Sequence, residues 1–211
     1  QVLKIDTGYA KAFLLVGQIA EEQGNHENAQ AAYGQASALD PYYVAPRMAI
    51  AAMAKRAGDV RAQMAALHTV LEAAPWNDEA HDQIGQAYDK SGRIDLASAK
   101  YDRAVQLYDR DPDRLFRAGS THLSLRQFNR AITALEGAVA RIPGEKQYHV
   151  KLVRAYTSAG KHQLARAAVR MATEIGSESA DLWLVAGELA LETKNYEAAE
   201  PALTRVLAEQ P

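Results

Sequence analysis

The sequence predicts an all-α chain, a solenoid of stacked helix-turn-helix units, and three observations predict it. The first is a comb with a tooth every 34 residues: Pro41, Pro75, Pro143 and Pro211 lie on it, with Asp109 and Ser177 at the teeth between. The second is a pair of columns on the same comb. One holds Gly17, Ala51, Gly85, Gly119, Val153 and Gly187; the other holds Ala29, Gln63, Ala97, Ala131, Ala165 and Ala199. Mostly small, these residues fall where two helix axes must come close. The third is apolar spacing of three and four residues, without the sustained alternation that a strand needs. One helix pair of this kind cannot bury its apolar face alone, so the units must stack.

Taken in order, residues 1–9 come first. Val2-Leu3 and Lys4-Ile5-Asp6 fall one period before Ala36-Ser37 and Ala38-Leu39-Asp40, so they read as the tail of an earlier second helix, with a short frayed leader as the alternative. Six units follow in register: 10–43, 44–77, 78–111, 112–145, 146–179 and 180–211. Gly24, Gly58, Gly92 and Gly160 stand where a first helix ends and can take φ > 0 there; Arg126 and Lys194 hold that tooth in units four and six. Asn25, Asp59 and Asn195 are placed to cap the second helices. Pro41, Pro75 and Pro143 close them.

Unit two is the least regular, with Gln63 at a close-packing site and Pro46 near a helix start, where a missing N–H is tolerated. In unit three, Ile84, Tyr88 and Tyr101 fill the space left by Gly85, Ala97 and Ala104. Leu115, Ala118, Gly119 and His122 form one stripe in unit four, and Phe128, Ala131, Leu135, Ala138, Val139 and Ile142 form another. Unit six carries Pro201 about a turn and a half into its second helix, which removes a ladder bond and is expected to bend it. No polar capping helix follows Pro211, although terminal repeats usually need one. The two ends together suggest an internal fragment of a longer array.

Composition narrows the function classes. The chain has 211 residues, 48% of them hydrophobic and 24% charged, with a net charge of −2, so nothing global points to nucleic acid or disorder. The absence of cysteine excludes disulfides, thiolate catalysis and thiolate-bound zinc, and fits either the cytosol or an oxidising compartment. No apolar run approaches the ~18 residues of a membrane span, so direct membrane insertion is not expected. The start, Gln1-Val2-Leu3-Lys4, has no signal-peptide layout, and any targeting segment is expected to have been removed. Charge is uneven: residues 112–179 hold eleven Lys and Arg against five Asp and Glu, a local +6. Such a basic middle could guide an anionic polymer, although Arg130, Arg166 and Arg170 fit equally well on a solvated outer face.

Catalytic chemistry finds no support. The histidines His26, His68, His81, His122, His149 and His162 never fall at a His-x-x-x-His spacing. His81, His122 and His149 sit where other units carry aromatic residues, and read as packing groups. Glu21-Glu22 are adjacent and diverge on a helix, which makes them a poor acid/base pair. There is no Gly-rich phosphate loop and no Gly-x-Ser-x-Gly elbow. Tyr42-Tyr43 is better suited to packing between units than to stacking a base or sugar. No enzyme activity, metal or cofactor is expected.

The period, the small-residue columns and the closing prolines resemble the tetratricopeptide repeats over residues 10–211, with Trp183 as the sole early tryptophan. That resemblance implies a right-handed superhelical α-solenoid whose first helices line a ligand groove. It assigns to the groove Lys11, Leu14 and Gln18 from unit one, Met48 and Ala52 from unit two, and Asp82, Gln86 and Asp89 from unit three. Phe116, Ser120 and Leu123 follow from unit four, Val150, Arg154 and Thr157 from unit five, and Leu184, Glu188 and Leu191 from unit six. Phe116, Leu123, Val150, Leu184 and Leu191 would form an oily strip beside Arg154, unless neighbouring helices half-cover them. The family's carboxylate clamp is not expected, because Leu14, Met48, Asp82, Phe116, Val150 and Leu184 occupy the site of its first lysine.

The resemblance implies a non-enzymatic scaffold that binds a partner peptide or helix. Long alanine-rich arrays without cysteine are similar to bacterial envelope proteins of pilus assembly or exopolysaccharide export, which suggests the periplasm, with the cytoplasm as the alternative. Two other readings stay open: a recruiting arm of an enzyme such as a glycosyltransferase, and direct binding of an anionic polysaccharide by repeats four and five. Nucleic acid is not expected as a partner.

Overall fold

The computed structural model describes residues 7–209, and twelve helices follow one another among them. They are α1 Thr7–Glu22, α2 His26–Leu39, α3 Val44–Arg56, α4 Val60–Ala73, α5 Asp78–Lys90, α6 Ile94–Leu107, α7 Pro112–Ser124, α8 Phe128–Arg141, α9 Lys146–Ser158, α10 His162–Glu174, α11 Ala180–Glu192 and α12 Tyr196–Glu209. No described helix is long and apolar enough to cross a membrane. The chain divides into two compact units, Gln1–Arg93 with α1–α5 and Ile94–Pro211 with α6–α12. The leading tail expected over residues 1–9 lies outside the described residues as far as residue 6, and residues 7–9 belong to α1.

Local signals act as the sequence implies. Gly24, Gly58, Gly92 and Gly160 have φ between 70° and 74°, and Gly176 joins them at 72°. Arg126 and Lys194 take the same left-handed turn at φ 58° and 55°, a strained choice for residues with a Cβ. Asn25, Asp59 and Asn195 each accept a backbone N–H three residues on, at 3.2, 2.9 and 3.3 Å. α2, α4 and α8 stop two residues before Pro41, Pro75 and Pro143. α12 continues through exposed Pro201, whose missing N–H leaves one ladder position without a donor.

The first unit has two small cores. Leu14, Ala20, Ala29 and Tyr33 form one, and Ala51, Leu67, Val70, Ala80 and Ile84 belong to the other. Gln63 is accommodated at its close-packing site by donating to Gln83 Oε1 at 3.4 Å. In the second unit one continuous core runs from Leu115 through Leu135, Leu152 and Val153 to Leu189. Crossing sites are tight: a Cβ built on Gly17 would lie 2.4 Å from the Tyr33 ring, and one on Gly187 would lie 2.6 Å from Leu203. At Gly17, Gly119 and Gly187 glycine is therefore a packing requirement, since a side chain there must displace a neighbour.

Candidate functional site

In the second unit, the C-terminal turns of α7, α9 and α11 border a cleft of about 620 Å³. Leu123 from α7, Arg154 and Thr157 from α9, and Glu188 from α11 line it, so four expected groove residues meet in one place. Register explains why. Leu123 and Thr157 stand one turn before the left-handed residue of their unit, and Arg154 and Glu188 stand six residues before it. The cleft also takes Arg126, Phe128, Ser158, Val185 and Glu192, which lay outside the expected groove. Arg126 did carry a signal: it replaces the glycine of the turn, and its αL backbone aims the side chain into the cleft's rim. Glu192 follows Glu188 by one helical turn and so shares its face.

The walls differ in sign. Arg126 and Arg154 stand on the α7–α9 side, and Glu188 and Glu192 stand on α11. Among the described residues, Arg154 and Glu188 make no ion pair, which leaves both charges available to a bound chain.

Other expected groove residues are placed differently. Leu14 is only 8% exposed and belongs to the first unit's core, because α2 presents Tyr33 and Ala29 against it. Asp82 is 2% exposed and accepts from Gln86 Nε2 at 2.7 Å, so it offers no open carboxylate. Lys11, Gln18 and Asp89 are exposed, while Met48, Ala52 and Gln86 are half-buried. A first-unit cavity of about 520 Å³ is lined by none of them; it runs from His26 on α2 past Met53 and Ala54 on α3 to Ala62 on α4.

The oily strip does not form as one surface. Phe116 stacks on Tyr148, ring centroids 5.0 Å apart at 29°, and Leu123 and Val150 also pack against the second unit's core. Ser120 and Leu184 are half-buried, and Leu191 is exposed. Tyr42 is exposed, against expectation, whereas Tyr43 packs on the first unit's core.

Several bases of the middle repeats are already engaged. Arg130 donates to Asp102 at 2.6 Å, Arg166 to Thr193 at 2.8 Å, and Arg141 to the Gly137 carbonyl at 2.9 Å. Buried Arg114 lies 3.4 Å from Asp111. Arg114, Arg130 and Arg141 thus stand in ion pairs with Asp111, Asp102 and Asp109, and part of the basic excess is met locally. The histidines pack as expected: His81 and His149 donate from Nε2 to the carbonyls of Pro75 and Pro143 at 3.0 and 2.6 Å. His122 Nε2 donates to Asp102 at 2.8 Å. Burial raises the Asp102 pKa, but the hydrogen bond and charge of His122, with those of Arg130, outweigh it and hold the carboxyl below its ordinary value. Burial also pushes the Tyr148 and Tyr156 phenols up, helped by their hydrogen bonds to Asp113 and Glu136.

Sequence comparison agrees with this geometry. Two family models described as tetratricopeptide repeat match the chain, one over residues 116–180 and the other over 10–43, 78–111 and 180–211, together well over half its length. The chain belongs to the tetratricopeptide repeat family. The repeat over 44–77, with Pro46 and Gln63, falls outside both matches. No curated protein matches in sequence.

Solved tetratricopeptide structures are similar in fold. YrrB, described as having an unusual peptide-binding site, shares 18% identity at a TM-score of 0.77, over 85% of this chain and 92% of its own. PilF of Pseudomonas aeruginosa shares 16% at 0.67, over 97% and 93%. PilW, described as a widely conserved type IV pilus biogenesis factor, shares 17% at 0.65, over 95% and 93%. At these identities the likeness shows the fold.

Proposed function

We propose that this tetratricopeptide protein is a non-enzymatic scaffold that holds an extended peptide or a helix of a partner protein in the α7–α9–α11 cleft. One observation carries the reading: four expected groove residues converge there with charges of opposite sign on opposite walls and no internal pairing. Such a cleft suits a polypeptide, whose backbone offers donors and acceptors throughout and whose side chains supply both charges. The structural likeness to PilF and PilW favours an envelope assembly role, in pilus biogenesis ahead of polysaccharide export, and with it the periplasm. The ion pairs of Arg114, Arg130 and Arg141 weigh against direct binding of an anionic polymer.

The test is panning of a displayed library of extended peptides against the wild type, with Arg154→Glu/Glu188→Lys as counter-screen. Both substitutions are on exposed side chains, so folding is expected to persist. Enriched peptides should carry mixed charge and lose at least tenfold in affinity for the variant. Peptides that bind both forms alike would place recognition elsewhere.

A further inference from the structure

A column on the first helices is left unexplained by the cleft. It holds Ala20, Ala54, Tyr88, His122, Tyr156 and Ala190, one residue per repeat at intervals of 34. Two members show what the column does. The Tyr156 hydroxyl donates to the Glu136 carboxylate, and His122 Nε2 donates to Asp102 Oδ1. In both cases the acceptor stands 20 residues earlier, on the preceding second helix. Both of these plugs are buried, 7% and 3% exposed, and a crevice of about 340 Å³ still lies beside His122.

At Ala190 the plug is missing and the acceptor is inverted, because the residue twenty before it is Arg170. Here α10, α11 and α12 border a crevice of about 380 Å³. Ala186, Ala190 and Ala198 line it, Trp183 adds an aromatic wall, and Arg166 and Arg170 stand one helical turn apart on α10. No Asp or Glu lines it. Arg166 is held by a bond from Nη2 to Thr193 Oγ1 at 2.8 Å, which uses one of its five N–H donors. Neither arginine makes an ion pair among the described residues. Arg205 lies 4.1 Å from the centroid of the Trp183 ring and steadies that wall.

We propose that this crevice binds the C-terminal aromatic residue of a partner polypeptide. The ring takes the space of the missing plug, and the terminal carboxylate meets Arg166 and Arg170. The volume lies within the range of about 300–1,000 Å³ typical of small ligand sites. An apolar lining gains from burying a ring, and a carboxylate between two guanidiniums makes charge-assisted hydrogen bonds. A terminal residue brings ring and carboxylate together in one unit. Two sister crevices show the selectivity. The one at Ala54 is also unplugged, but its Arg56 is already paired with Glu21 and Asp59 adds negative charge. The one beside His122 has its cation, Arg130, bound to Asp102.

The test uses a fluorescent glycine-serine peptide ending in phenylalanine with a free carboxylate, the same peptide as its carboxamide, and a third with phenylalanine and glutamate in its interior. Binding is read by anisotropy on the full chain. The free acid is expected to bind at least tenfold more tightly than either control. Ala190→Tyr, which restores the residue found at position 156, should abolish binding, and Arg170→Glu should do so without touching any core contact. Arg154→Glu/Glu188→Lys should leave it unchanged, so failure here and failure of the cleft reading are separable. Equal binding of acid and amide, equal binding of the interior peptide, no binding by the wild type, or binding retained by Arg170→Glu would each overturn the assignment.

Discussion

Replacing Gly119 by Leu should lower stability, while the same replacement at Gly34 should raise it. Both glycines lie inside helices, α7 and α2, so a better helix former gains up to about 1 kcal/mol at either site. The surroundings decide the sign. A Cβ on Gly119 would lie 2.6 Å from Leu135 Cγ, 3.0 Å from its Cδ2 and 3.2 Å from the Ala131 carbonyl oxygen. Leu135 is fully buried and the carbonyl belongs to α8, so neither can yield without moving the helix pair apart. Overpacking of this kind costs about 1–3 kcal/mol. Leucine adds three further carbons to a contact that Cβ alone violates, which argues for the upper end and a net loss of about 2 kcal/mol. For a chain of this size each kcal/mol moves Tm by about 2–4 °C, so a fall of about 4–8 °C is expected. Nothing lies within 4 Å of a Cβ on Gly34, and its Tm should rise slightly. Thermal melts followed by circular dichroism read both. A Gly119→Leu protein that melts at or above the wild-type temperature would refute the close crossing of α7 and α8.

The polar plugs give two more predictions. The Asp102 pKa is lowered in the folded state, so its stabilisation is present above the ordinary aspartate value of about 3.9 and is lost as pH falls through the lowered one. Asp102→Ala should cost about 1–3 kcal/mol at neutral pH by orphaning buried His122, and should flatten the acid limb of a pH–stability curve; an unaltered limb would exclude the network. Tyr156→Phe should cost about 1 kcal/mol in urea unfolding. The phenol's raised pKa means its contribution is full below about 10 and fades as pH climbs through the folded value, so ultraviolet titration should lose one late-ionising tyrosine in the variant.

The fold was legible in the chain because its signals are local and repeated. A left-handed turn, a cap and a closing proline recur in register, and Asn25, Asp59 and Asn195 cap as spacing alone implies. The site was legible only in part. Leu123, Arg154, Thr157 and Glu188 could be assigned because register fixes which way a helical residue points. Leu14 and Asp82 belong to a column four residues earlier in the period than Arg154 and Glu188, and all of that column is buried or half-buried under neighbouring helices. Phe116 was lost to the groove for the same reason: Tyr148, a period later, lies across it.

Repetition also explains why a second site could escape a reading organised around motifs. A repeat protein uses each column position for packing, and a departure reads as a tolerated irregularity. Ala54 and Ala190 look like harmless small residues in a helix rich in them. Their meaning appears only against Tyr156 and His122, which reach across to the preceding second helix. Where the plug is absent, the chemistry of the crevice is set by the residue twenty earlier. At Ala54 that residue is Gly34, which brings no charge, and nearby Arg56 is spent on Glu21. At Ala190 it is Arg170, with Arg166 held one turn away. The same deletion therefore gives an inert hollow in one unit and a cationic, aromatic-walled crevice in the other. A single pair of positions, twenty residues apart, accounts for the difference.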